Sequence, residues 1–507
     1  MSPALRPTTA QPAVENDPPP PPPVGWRWRS SRWFIVSTVG MGIFTDMVLY
    51  CLIVPVLPFL LQDRLHLPAD QIQSQVSNLL AVYAGASVVS SPITGLLADR
   101  WSSRQMPFLL GLFSLLIATF LLAIGQTITA LVVARFLQGL SAAVVWVVGL
   151  ALLVETVGSD NMGAVIGSLQ IYSLMTVGGL ISPVLGGILY RKTGYAGVFG
   201  VSIAIVIIDF IMRLLVIERK VAVQYEQHET GTAKPPYGPG SMSRETAPFP
   251  INDTNENTPL LGRQNPNPDP RYRLSAKHLS KKSFLARHMP VLILLSNTRL
   301  LTALLVGFIQ ALLMGTFDST IPVAAKEYYG FNSLRAGLLF LSLGCFDLFI
   351  GPLAGWAVDR FSPRVVAVVG YAWLTPVLSL FQSLARPGGG HEIAVFCVLL
   401  SLCGVGVAIV NAPSLVEAGL VVDAYHKANP ELFGARGPHA QLYGLNSMIW
   451  NLGLAVGPLL AGWLKLWLGY GNMMAVMAGL CGITAVLSFF FMGRKGDGEG
   501  FEEVDGV

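Results

Sequence analysis

Charge is what this sequence has least of. Asp, Glu, Lys and Arg together make up 12% of its 507 residues, about half the share of an ordinary water-soluble domain. A solvated surface needs such groups, so most of the chain is not built to face water. The net charge of +4 is thinly spread and forms no basic patch, and no nucleic-acid partner is expected. Cysteine is scarce too. All five (Cys51, Cys345, Cys397, Cys403 and Cys481) lie inside apolar runs and none has a CxxC neighbour, so they read as packing residues rather than disulfides or metal ligands. The seven histidines are dispersed, and no metal site is expected. GxxxxGK[ST], GxSxG and HExxH are all missing, which leaves no nucleotide-driven motor and no hydrolytic centre in view. Neither enzymatic activity nor a cofactor is expected.

Hydrocarbon fills the chain instead: 52% of residues are hydrophobic and the mean hydropathy is +0.57. A helix needs about 20 apolar residues to cross a bilayer. Twelve runs meet that length, at 34–61, 76–97, 107–125, 128–154, 163–190, 196–217, 301–324, 335–356, 364–384, 392–416, 441–468 and 473–492. We number them spans 1 to 12. Ahead of them, residues 1–33 are polar and proline-rich, with six prolines in a row at 18–23. The first apolar run starts too late for a cleavable signal peptide, so this reads as a disordered tail. Residues 218–300 are rich in Pro, Asn, Thr and charge and read as a largely disordered linker; 493–507 reads as a short tail. The predicted organisation is therefore a six-span bundle at 34–217 and a second at 301–492, working as a monomer. About 24 of the 33 basic residues fall on the side that holds both termini and the linker, which predicts that side to be cytoplasmic.

The two bundles repeat each other. At an offset of 260, Pro92, Gly95, Asp99, Arg100, Ser102 and Arg104 coincide with Pro352, Gly355, Asp359, Arg360, Ser362 and Arg364. Span 5 ("GGLISPVLGGIL", 178–189) and span 11 ("GLAVGPLLAGWL", 453–464) share a second pattern, with Gly178, Pro183 and Gly187 over Gly453, Pro458 and Gly462. Six is an even number of crossings, so the repeats run parallel, related by an axis along the membrane normal. In span 5 the small residues Gly178, Gly179, Gly186 and Gly187 around Pro183 permit close helix approach and a bend.

A charge at mid-membrane costs about 2.5–3.5 kcal/mol on insertion scales, so each one needs a partner or a purpose. Asp46 lies near the middle of span 1, with Tyr50 one turn on along the same face. Arg135 sits in span 4, where it could hold Asp46, bind substrate, or snorkel to the nearby surface. Asp318 in span 7 and Asp347 in span 8 are the second bundle's acids. Asn411 and Glu417 in span 10 flank "APSLV", where Pro413 is predicted to break the helix. Asp209 and Arg213 in span 6 are spaced i, i+4 and read as a structural pair.

These motifs carry a resemblance. "GLLADRWSSR" (95–104) resembles G-x-L-x-D-R-x-G-R-K, the loop signature of the major facilitator superfamily, with Ser102 and Ser103 in place of its glycine and first basic residue. "ARFLQGLSAA" (134–143) resembles that superfamily's span-4 signature, and the span-5 run resembles the one associated with proton-coupled antiporters. An aspartate followed by "VPVLP" in span 1 is similar to vesicular amine transporters and their fungal relatives in the drug:proton antiporter group. Those animal carriers have a lysine in span 2 and an aspartate in span 11; Tyr83 and Ser447 stand there in this chain. The resemblance implies an all-α multi-pass fold of twelve helices, carrying a small organic substrate by alternating access, in antiport with protons. It implies gating corners at Gly95, Asp99, Arg100 and Arg104 and at Gly355, Asp359, Arg360 and Arg364. A transporter-like sensor without flux, or a uniporter, stays open as an alternative. In the linker, "ENTPLL" (Glu256, Leu260, Leu261) resembles an acidic dileucine signal read by sorting adaptors, which points to a vacuolar or endosomal membrane, with the plasma membrane as the other destination.

Overall fold

No water reaches the hydrocarbon core to satisfy a bare backbone, so spanning segments that are not closed barrels must be helices. The computed structural model describes residues 25–100, 105–157, 169–217, 291–384, 390–429 and 439–493, with Pro23, Ala222 and 272–274, and among these the regular elements are all helices. Eleven stretches of the described residues are long and apolar enough to cross a membrane. One of them holds two crossings. Its helix, Leu169–Leu215, has 47 residues and would measure about 70 Å at 1.5 Å per residue, more than twice the hydrocarbon thickness. Gly194 breaks it in a conformation open to glycine, φ 64° and ψ −150°, so spans 5 and 6 form an antiparallel pair and the crossings number twelve.

Span 1 is Arg32–Ile53, continued after Pro55 by Leu57–Asp63. Spans 2, 3 and 4 are Ala69–Arg100, Gln105–Ile124 and Ile128–Val157. The second bundle begins with span 7, Thr298–Tyr329, and span 8, which is divided into Ser333–Gly344 and Asp347–Arg360. Span 9 is Pro363–Ser379. Span 10 is broken as the sequence predicts, into Gly390–Ile409 and Pro413–Ala428. Spans 11 and 12 are His439–Leu468 and Tyr470–Phe491. Large apolar side chains such as Phe113, Phe120, Ile208, Trp356, Leu353 and Phe490 face outward, as lipid contact demands.

The repeat predicted from sequence is visible in the packing. Gly186 lays span 5 against the backbone of Leu52 in span 1, and Gly457 lays span 11 against the backbone of Leu312 in span 7; a Cβ at either would collide with a main-chain oxygen. The ends of each bundle are also tied together. Arg29 donates through Nε to the Leu215 carbonyl at 2.6 Å, while the Ile217 amide donates to the Arg29 carbonyl at 3.2 Å, and Trp26 is buried against Ile217 and Ala222. In the second bundle Glu417 accepts from Arg299 at the start of span 7 and from the Gly493 amide just after span 12 at 2.8 Å. Both knots lie at the end of the molecule where span 1 begins and span 12 ends, which we call the terminal end. We call the opposite end the far end. Asp209 and Arg213 form the structural pair read from their spacing, 2.7 Å apart and fully buried.

Candidate functional site

Spans 1, 2, 4 and 7 converge on a buried polar cluster at the seam between the bundles. Asp46 (1% exposed) accepts from the Tyr83 hydroxyl at 3.1 and 3.2 Å and from the Trp146 indole N–H at 3.3 Å. Tyr83 lies against Tyr50 with ring centroids 4.8 Å apart. The Tyr50 hydroxyl in turn donates to Asp318 at 2.9 Å, a bond between residues 268 positions apart that joins one bundle to the other. Asp46 and Tyr50 share a face because they are one turn apart on the span 1 helix. The two acids, one from each half, are thus linked by a pair of stacked phenols.

Arg135 completes the cluster. It is fully buried, not drawn to the surface, and interacts electrostatically with Tyr50, Tyr83 and Asp318. Its Nη1 donates to Gln138 at 2.9 Å, while Nε and Nη2 have no hydrogen-bond partner among the described residues. An arginine cannot give up its proton to escape the cost of burial. With Asp46 and Asp318 both ionised, the three side chains carry one negative charge in excess. A proton or a cationic group balances it; this is the chemistry the cluster can perform.

Towards the far end the bundles close along two seams. Span 5 meets span 8 backbone to backbone: Gly187 faces Ser333, whose Oγ donates to the Gly187 carbonyl at 3.2 Å, and Gly337 faces Pro183. Span 11 meets span 2 through Gly462, which faces Ser77. Gly187 and Gly462 are the residues that the internal repeat superposes. Lys326 of span 7 also donates to the Pro58 carbonyl at 3.2 Å.

With that geometry, comparison with known proteins is decisive. The chain matches the Major Facilitator Superfamily over residues 33–429 and again over 303–505. It belongs to that superfamily. It is 40% identical over 483 residues to the MFS-type transporter ppzB of Metarhizium rileyi, covering 94% of this chain and 98% of that one. A probable vesicular acetylcholine transporter-B of Danio rerio is 28% identical over 196 residues, 37% of this chain and 38% of its own length. In fold, the chain is similar to the crystal structure of D-xylose-proton symporter, with a TM-score of 0.61 at 13% identity, over 93% of this chain and 99% of that one. Resemblance to fungal and vesicular members therefore holds at the level of sequence, and the twelve-helix fold at the level of structure.

The superfamily's other signature residues are spread along the molecule. Asp99 and Arg100 end the span 2 helix, with side chains outside the described set, and Arg104 lies outside the described residues. In the second copy of the corner, Asp359 and Arg360 are exposed in the last turn of span 8. Ser362 then caps span 9 by accepting from the Val365 amide at 3.3 Å, and Arg364 lies 4.6 Å over the ring of Phe489 in span 12. The corner is thus a helix stop and a restart, with Arg360 suited to the C-terminal end of one helix and Ser362 to the N-cap of the next. Gly95 and Gly355 are half-buried, as is Gly179; Gly178 is buried against Phe44.

Three of the polar residues read from the spans stand apart from the cluster. Glu417 is buried at the terminal end in its pair with Arg299. Asn411 is exposed at the break in span 10 and accepts from the Gln310 amide at 3.1 Å. Asp347 is half-buried at the break in span 8. Glu256, Leu260 and Leu261 lie outside the described residues. Trp146, Gln73 and Lys465 belong to the site or its seam and carry no motif; of the unpredicted members, Gln138 falls inside the span-4 signature run and Tyr83 stands where amine carriers hold a lysine.

Proposed function

We propose that this protein exchanges a small organic substrate for protons across a membrane by alternating access, with Asp46 and Asp318 as the sites at which proton and substrate compete. The observation that carries this reading is the Tyr50–Asp318 bond. It makes the acid of one bundle depend on the position of the other, which is what coupling a proton to a conformational change requires. The excess negative charge that the Asp46–Asp318–Arg135 set carries when both acids are ionised supplies the driving term, since a buried excess charge is expensive until a proton or a cationic substrate group neutralises it. Rocking of the two bundles about the cluster would expose it to each side in turn. The bias of basic residues supports a cytoplasmic terminal end, so the far end would face the lumen or the exterior of a vacuolar, endosomal or plasma membrane.

The test is transport by purified protein in liposomes carrying a defined pH gradient, with a panel of small organic compounds as cargo. Accumulation that collapses with a protonophore is expected. Asp46→Asn is expected to abolish gradient-driven accumulation while retaining some substrate exchange. Undiminished gradient-driven accumulation by Asp46→Asn would refute the assignment, and absence of flux for every compound would favour a sensor.

A further inference from the structure

The two far-end seams differ in chemistry. The seam between spans 5 and 8 is main chain against main chain. The seam between spans 2 and 11 is held by side chains, and Gln73 stands at its centre. Its Oε1 accepts from Lys465 Nζ at 3.0 Å, and its Nε2 donates to the Ser319 carbonyl at 3.1 Å and to Ser77 Oγ at 3.2 Å. Lys465 also pairs with Glu327 at 2.7 Å, so it is tied to span 7 as well. Gln73 is 2% exposed and Lys465 is 8% exposed. A side-chain amide accepts at one end and donates at the other without carrying charge, and this one joins span 2 to span 11 and to span 7 at once.

Where Gln73 grips span 7 is the informative detail. Ser319 directly follows Asp318, the residue that Tyr50 holds. Pro322, inside the same helix, lacks the N–H that would bond the Asp318 carbonyl, which loosens the helix here and opens the neighbouring Ser319 carbonyl to a side-chain donor. The first bundle therefore grips span 7 at two consecutive residues, one in the acid cluster and one in the far-end clasp. A helix turn moves as a unit. A shift of this turn that takes Asp318 away from Tyr50 also takes the Ser319 carbonyl away from Gln73, and with it the support of the Lys465 contact.

We propose that Gln73 is the positioning residue that couples the far-end gate to Asp318, releasing the clasp with Lys465 when the acid changes partner. This rests on the reading of Asp318 as a site of proton and substrate exchange, but its test needs neither a gradient nor a substrate. Ser77, 3% exposed, lies one turn deeper than Gln73, and Ser77→Cys provides a thiol behind the clasp. Its reaction with a membrane-impermeant maleimide added on the far-end side is read by mass spectrometry of that peptide. Gln73→Leu, which keeps the volume and removes the bonds to Lys465 and Ser319 along with that to position 77, is expected to raise the labelling rate about tenfold or more. Asp318→Asn is expected to raise it in the parent and to add nothing further in Gln73→Leu. Gln73→Glu still accepts from Lys465 but cannot donate to Ser319, so it should stay closed and lose the response to Asp318→Asn; this variant carries the test if Gln73→Leu fails to fold. Unchanged labelling in Gln73→Leu overturns the gate. An Asp318→Asn effect of equal size in all three backgrounds overturns the coupling. Failure of the proton assignment would show separately, as gradient-driven transport that survives Asp46→Asn.

Discussion

The Asp209–Arg213 pair in span 6 offers a quantitative check on the packing of the first bundle. Both side chains are fully buried, and the carboxylate is gripped twice, by Nε at 3.0 Å and Nη2 at 2.7 Å. Nη1 donates to the Phe108 carbonyl at 3.0 Å, and the guanidinium lies 3.8 Å over the Phe108 ring, so one arginine binds span 6 to span 3. Arg213→Met keeps most of the volume and strands the carboxylate. Breaking a buried pair from one side costs about 3–5 kcal/mol, mostly the penalty for the charge left behind. Replacing both partners by apolar groups removes that penalty, so Asp209→Val combined with Arg213→Met should recover to within about 1–2 kcal/mol of the parent. In a thermal melt of detergent-solubilised protein the single change should lower Tm on the order of 5–10 °C and the double change much less. Equal losses in single and double variants would refute the reasoning, because they would place the cost in the lost contacts to span 3 rather than in the stranded charge.

Two further outcomes follow from the seams and the terminal end. Gly187→Val forces a branched side chain against the Ser333 backbone and should cost about 1–3 kcal/mol only when the far end is closed, so transport in liposomes should fall roughly tenfold with little change in Tm; normal transport would contradict the seam. Asn429 donates to the Tyr272 carbonyl at 2.8 Å and accepts from the Leu274 amide at 2.9 Å, holding the end of the linker against span 10. Asn429→Ala should expose that strand and speed trypsin cleavage after the exposed Arg273 about tenfold; an unchanged cleavage rate would contradict the clamp.

The architecture was legible because hydropathy reports on the bilayer directly. Twelve runs, the parallel repeat and the break at Pro413 all follow from local residue types. Spans 5 and 6 are continuous only in their hydrogen bonding: the helix runs Leu169–Leu215, and Gly194 divides it inside the gap between the apolar runs ending at 190 and starting at 196. Within the cluster, Asp46, Arg135 and Asp318 announced themselves because ionised groups are costly in apolar surroundings. Tyr83, Trp146 and Gln73 did not, because a phenol, an indole or an amide sits in an apolar run at small cost and leaves no trace in composition. Charge also does not reveal its partner. Glu417 carries the same signal in sequence as Asp318, yet one is tied to Arg299 at the terminal end and the other to Tyr50 at the seam. Those differences are set by contacts over 100 to 268 residues of chain, which no local pattern encodes.

The knot at the terminal end of the first bundle constrains how this chain can be made. Arg29 leaves the ribosome well ahead of the carbonyl it grips, which belongs to Leu215, 186 positions later. Trp26 must likewise wait for Ile217. The opening segment therefore has no native place to go until six crossings have been inserted, and its docking marks the moment the first bundle becomes complete. Truncating translation before Leu215 should leave that tryptophan accessible to an aqueous quencher, and extending past Ala222 should hide it.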